Sequence, residues 1–323
     1  MAENLTTAIM LTGAAARISQ EVALIDKLRA NKGLTLKETD TFVSGFSSGS
    51  LNLAAINTCF RSENPLSWDE YYKKEILFKL KISDVFKLKF PLPLDTRPLR
   101  KTLNKFLASG NFTWCKDLPF RSYILTFSRA EFETLWACSR DNNEEYLNLS
   151  DLFMSSTAIP LIFPAQEIHC EEGHTTDFPG GKYNDGGTGG TFKRFPEYLG
   201  KYVEENQPFK KLYIISPMRE RTEKDIHEAF DHLFKNNKKK THIQEANLGN
   251  ISFHTFMKFL VKLNNYNKKH KVANEIYVSI PDMKKNFPIL NFNKQEKQYN
   301  AVCDWVDANP DQLAIPLEKF INS

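Results

Sequence analysis

The chain has no apolar run approaching the roughly twenty residues that a membrane-spanning helix needs, so no bilayer-spanning segment is expected. It also has little excess of either charge. A formal +4 over 323 residues, with a pI near 8.6, is too weak to imply nucleic acid as a partner. Contact with anionic lipid head groups stays compatible with it. Cysteine is scarce: Cys59, Cys115, Cys138, Cys170 and Cys303 are odd in number and scattered, unlike a disulfide framework. The first seven residues carry Glu3 and no basic region, and Ala8 to Leu11 is too short for a secretory leader. A cytoplasmic protein, soluble or peripheral on membranes, is therefore expected. Histidine is sparse as well. His169, Cys170 and His174 lie close together but lack a fourth ligand, so no metal is expected. The turn at Gly13 has neither a complete phosphate-binding fingerprint nor a Gly-Lys-Ser/Thr, which excludes a nucleotide; no cofactor is expected. No internal repeat is present, and the Asn/Lys run from Lys235 to Lys240 is the one low-complexity stretch.

What is present is an ordinary globular composition, 41% hydrophobic and 25% charged, in a length that suits one α/β domain over residues 1–323. Thr7 to Leu11 is a strand candidate; Gly13 breaks it, and Ile18, Val22, Ile25 and Leu28 recur at helical spacing. Thr41 to Ser44 is a second strand candidate, followed by a turn between Gly45 and Gly49 and a helix carrying Leu51, Ala54 and Ala55. Two strand-turn-helix units in succession predict a parallel sheet. Residues 61–118 are irregular, aromatic and rich in Lys and Pro, and are expected to form an insertion or cap. Strands are predicted at Ser122 to Phe127, Phe132 to Cys138, Lys211 to Ser216 and Glu275 to Ile280. A helix should start near Ser150 and stop before Pro160, and Gly173 to Gly190 reads as a glycine-dense loop around Asp185.

Gly45-Phe46-Ser47-Ser48-Gly49 fits the Gly-x-Ser-x-Gly nucleophile elbow. The sharp turn needs small residues on both sides of the serine so that strand and helix approach closely. The pentapeptide alone also fits a chance match in a Gly/Ser-rich turn; its position after a strand and before a helix favours Ser47 as a nucleophile. A serine hydroxyl is weak until a base takes its proton. Asp185, in Tyr183-Asn184-Asp185-Gly186-Gly187, is the one carboxylate in a distinctive setting, although an Asp-Gly pair is by itself a common turn.

Taken together these segments resemble the patatin-like phospholipase family. Leu11-Thr12-Gly13-Ala14-Ala15-Ala16-Arg17 is similar to its glycine-rich oxyanion loop, and Gly45 to Gly49 with Ser50-Leu51-Asn52 to its elbow. Ser155 to Pro160 with Phe163-Pro164 is similar to the stretch preceding its aspartate, Asp185-Gly186-Gly187 to its Asp-Gly-Gly/Ala motif, and Phe292 to Val306 to its closing helix. The resemblance implies a three-layer α/β/α fold with a mostly parallel central sheet and a helical cap or insertion. It also implies a Ser-Asp dyad without histidine: Ser47 as nucleophile, Asp185 as base, and an oxyanion hole at Gly13, Ala14 and Ala15, with Arg17, Gly45, Gly49, Gly186 and Gly187 in support. The implied activity is that of a serine hydrolase cleaving carboxylic esters of lipids, with a phospholipid or lysophospholipid as substrate. The family has glycines where this chain has Ala14, Ala15 and Ile18, so an alanine at positive φ would be strained there. Arg17 is either a solvated helix residue or a charge beside the oxyanion or a lipid phosphate.

Residues 219–271 are expected to be a basic helical insertion. Lys238 to Lys271 mixes lysines with Phe253, Phe256, Met257, Phe259 and Leu260, which suits either a peripheral membrane contact or a helix that packs its aromatics inward. Three other functions fit the same motifs. These are a Ser-His-Asp α/β-hydrolase, which requires a downstream histidine; an acyltransferase; and a lipid-binding homologue weakened by its alanine-rich loop.

Overall fold

The structure, a computed structural model, describes residues 4–87, 92–140, 142–188, 193–217, 253–283, 287–288 and 290–323. Its centre is an eight-stranded, mostly parallel sheet: β1 (Thr7–Leu11), β2 (Thr41–Gly45), β3 (Arg121–Ser128), β4 (Glu133–Cys138), β5 (Tyr183–Asp185), β6 (Phe209–Ile215), β7 (Ala273–Ser279) and β8 (Ile315–Pro316). The spatial order is β4-β3-β2-β1-β6-β7-β8, with β5 joined to β3. Strands β1, β2, β6 and β7 alternate apolar residues to both faces, as strands covered on two sides must. Ile9, Leu11, Val43 and Ile124 face one helical layer, and Ala8, Met10, Phe42 and Tyr123 face the other.

The first layer holds α1 (Ile18–Lys32), α2 (Ser48–Cys59), α5 (Leu149–Ser156) and α8 (Gln295–Ala308). The second holds α6 (Phe195–Glu205), α7 (Phe253–His270) and α9 (Leu317–Ile321). The chain is thus a three-layer α/β/α body. Between α2 and β3 lie a π-helix (Trp68–Leu77), the single turn α3 (Ile82–Val85) and α4 (Arg97–Gly110), in the stretch expected as an insertion or cap. No helix among the described residues is long and apolar enough to cross a membrane.

Two expectations change. The strand read from Phe132 begins at Glu133, because Phe132 is a turn residue with φ +54° and 83% exposure. The glycine-dense loop contains a strand, β5, which is too short and too polar to show a period of its own; pairing with β3 makes it one.

That pairing organises one edge of the sheet. β2 runs parallel to β3 and ends with Gly45 opposite Ile124. β5 runs antiparallel to β3 and ends with Asp185 opposite Thr126. The two strands therefore meet end to end beside β3, two residues apart on it, about 7 Å along an extended chain. Ser47 leaves one end and Asp185 closes the other.

Candidate active site

Ser47 sits between β2 and α2 with φ +52° and ψ −139°, a conformation an L-residue holds only when its surroundings force it. The forcing is visible in the glycines. A Cβ on Gly49 would fall on the Leu11 carbonyl, and one on Gly45 would press the Gly49 backbone. Ser47 N–H donates to the Ser156 carbonyl and hydroxyl at 3.0 and 3.1 Å, which pins the elbow to the end of α5.

The same segment holds Asp185, whose N–H donates to the Ala158 carbonyl at 2.9 Å. A Cβ on Gly186 would collide with the Leu125 backbone, so only glycine lets the chain leave β5 there. Asp185 is 1% exposed; its Oδ1 accepts the Gly187 N–H at 2.8 Å. Burial pushes its pKa up to about 7, against smaller lowering effects from the Gly187 N–H and the Ser47 hydroxyl. The hydroxyl is thus near the carboxylate, yet Oδ2 has no hydrogen-bond partner among the described residues.

Two of the three amides expected to face an oxyanion are already hydrogen-bonded within the protein. Gly13 N–H donates to Glu21 Oε1 at 3.0 Å, and Ala14 N–H to Ser48 Oγ at 3.0 Å, so neither is turned to a ligand. Ala15 N–H and Ser48 N–H make no hydrogen bond among the described residues, and both residues line the cavity beside Ser47. Ala14, at φ −164°, is not in the left-handed region and needs no glycine. Ala15 is left-handed at φ +49°, which costs an alanine about 1 kcal/mol. Arg17 is not a solvated helix residue: it is 2% exposed, and its Nε donates to the Phe287 carbonyl at 3.1 Å.

Glu21 was not evident as part of this site. It occupies the i+3 place of the apolar stripe Ile18, Val22, Ile25, and a carboxylate in such a stripe was the available signal. Asn52 Nδ2 also donates to it at 2.6 Å, and Tyr72 Oη donates to Asn52 Oδ1 at 2.6 Å. Burial raises the Glu21 pKa to about 7 despite these donors. The network ties the Gly13 loop to a tyrosine of the cavity wall. On the other side Gln295 and Gln298 of α8 donate to the Ala16 carbonyl at 3.0 and 2.9 Å.

The cavity at Ser47 is narrow, about 80 Å³, and its wall is almost purely apolar. Ile18 and Leu51 line it near the elbow, Ile159 and Phe163 from the segment after α5, and Leu99, Leu103 and Phe106 from α4. No histidine among the described residues lines it. Among the described residues, His169 bonds Asp151 at 2.6 Å, and His174 and His270 stack on Tyr146 and Tyr266. The aromatics expected at a membrane, Phe256 and Phe259 with Leu260, are buried in α7 against the sheet, while 219–252 lies outside the described residues.

The family model for patatin-like phospholipase matches residues 28–193, just over half of the chain and a span containing both Ser47 and Asp185. No match to an individual curated protein accompanies it. With an α/β/α body of the expected kind around that span, the chain belongs to the patatin-like phospholipase family.

Proposed function

We propose that this protein is a lipid acyl hydrolase of phospholipase A or lysophospholipase type, cleaving a carboxylic ester through Ser47 with Asp185 as general base. The observation that carries it is the meeting of β2 and β5 on β3, with Ser47 at an apolar cavity and a buried carboxylate beside it. Asp185 removes the hydroxyl proton as Ser47 Oγ attacks the ester carbon. The oxyanion that forms meets Ala15 N–H and Ser48 N–H, the latter in the first turn of α2, where amides are unpaired and the helix dipole favours negative charge. Asp185 returns the proton to the departing alcohol. Water then attacks the acyl-enzyme, giving its proton to Asp185, which passes it to Ser47 Oγ as the acyl bond breaks and the fatty acid leaves. The cavity takes the acyl chain, since it offers nothing to solvate a charged head group, and its narrow bore suits one chain at a time.

A base with a pKa near 7 works better than an ordinary carboxylate, because it holds the proton more firmly once it has taken it. Hydrolysis of a p-nitrophenyl ester should therefore rise with pH through about 7. Ser47→Ala should abolish both hydrolysis and fluorophosphonate labelling, and Asp185→Asn should abolish hydrolysis. The raised pKa also has a stability consequence. The folded state binds this proton more tightly than the unfolded chain, so the stability it supplies is complete below about pH 4 and declines as pH rises to about 7. Asp185→Asn should lose that decline while losing activity. A wild-type protein that folds but neither labels nor hydrolyses would refute the assignment.

A further inference from the structure

Positive charge gathers in two stretches of this chain, 235–271 and 79–105. Residues 79–105 contain eight Lys and Arg against two acids, a net +6, whereas the whole chain carries +4. This stretch contains α4, a helix with two occupations. Leu99, Leu103 and Phe106 line the cavity, while Arg97, Lys101 and Lys105 are exposed on its outer side. Asp95 pairs with Arg97; Lys101 and Lys105 have no ion pair among the described residues.

An exposed apolar residue lies on a segment that is hydrogen-bonded to this stretch. Ile159 and Phe163 line the cavity, and between them Leu161 turns outward, 61% exposed and at φ +68°. That conformation is disfavoured for leucine, and exposure gives it no packing in return, a combination that points to function. Leu94 N–H donates to the Ile162 carbonyl at 2.7 Å and Arg100 to Gln166 at 2.9 Å, so the Leu161 segment and α4 are joined edge to edge.

We propose that Leu161 and the outer side of α4 form a docking surface for an anionic phospholipid bilayer. Leu161 enters the acyl layer while Lys101 and Lys105 sit among the phosphates, which presents the cavity to lipid. The choice of partner rests on the lipid-hydrolase reading, but its test does not.

Full-length Ser47→Ala protein, which cannot turn lipid over, is sedimented with phosphatidylcholine vesicles with and without phosphatidylglycerol. Binding should require phosphatidylglycerol and weaken with salt. It should fall at least about tenfold in Lys101→Glu/Lys105→Glu, and comparably in Leu161→Asp. Leu161→Gly removes the side chain and relieves the backbone, so its loss of binding is expected even if the aspartate variant fails to fold. With Ser47 intact, all of these variants that fold should hydrolyse a soluble short-chain ester as the parent does. Parent-like vesicle binding by the folded variants, or equal binding to neutral vesicles, overturns the docking surface even if the ester is hydrolysed. Charge-dependent, Leu161-dependent binding by a protein that hydrolyses nothing upholds the surface and removes the enzyme.

Discussion

Helices α4 and α7 are built from the same materials and do different things. Each pairs an apolar stripe with lysines, and neither contains an acidic residue. In α7 the stripe of Phe256, Phe259, Leu260 and Leu263 is buried against the sheet, and its cations reach acids on neighbouring helices, Lys262 to Glu197 at 2.6 Å and Lys268 to Glu318 at 2.8 Å. In α4 the stripe faces an apolar cavity; Arg100 reaches Asp151 of α5 at 2.6 Å, but Lys101 and Lys105 face outward. Periodicity reports which side of a helix avoids water; it does not report whether the other wall is protein or empty space. That is determined by what packs opposite: the α7 stripe shares an apolar cluster with Leu212 and Ile214 of β6 and Ile276 and Val278 of β7, while the α4 stripe shares its cavity with Leu51 of α2 and Ile159 and Phe163 of the segment after α5.

The largest test of this contrast is a truncation on each helix. Phe259→Ala removes a fully buried ring from a packed layer and should cost about 3–5 kcal/mol, read as a lower denaturant midpoint. Leu103→Ala should cost less, about 2 kcal/mol, at the low end for such a deletion, because its neighbour is already a void. Leu103→Ala should also shift hydrolysis toward longer or bulkier acyl chains, measured across a series of p-nitrophenyl esters, and Phe259→Ala should leave that preference unchanged. Equal stability losses with no shift in chain preference would mean that α4 is core and the cavity is incidental.

The same distinction separates what was legible in the sequence from what was not. The elbow was legible because sterics leave no choice: Gly49 lies against the Leu11 carbonyl and Gly45 against Gly49, so both must lack a Cβ. Strands β1, β2, β6 and β7 were legible because buried parallel strands are runs of apolar residues. β5 was not, since Tyr-Asn-Asp becomes a strand only beside β3. Which amides of the Gly13 loop are bonded was not legible for a related reason. Every residue of the loop has an N–H, and which one stays open depends on Glu21, eight residues on, and Ser48, thirty-four residues on. Ser156, which holds the elbow, gave no sign beyond its place in a segment similar to the family's.

The smallest expected effect concerns the lysines. Lys262 and Glu197 are each about two-fifths exposed, so solvent screens their attraction. Partly exposed pairs of this kind contribute about 0.2–1 kcal/mol, and Lys262→Met should lower stability by no more than that, an effect that salt removes. Lys101 has no such partner among the described residues and sits within the net +6 segment, so Lys101→Met should leave stability unchanged or raise it slightly by relieving repulsion from its basic neighbours. Thermal melts of the two variants at low and high salt separate the cases by sign. A Lys101 variant that melts lower than its parent would show that this side chain is tied into the fold, and would make α4 the structural equal of α7.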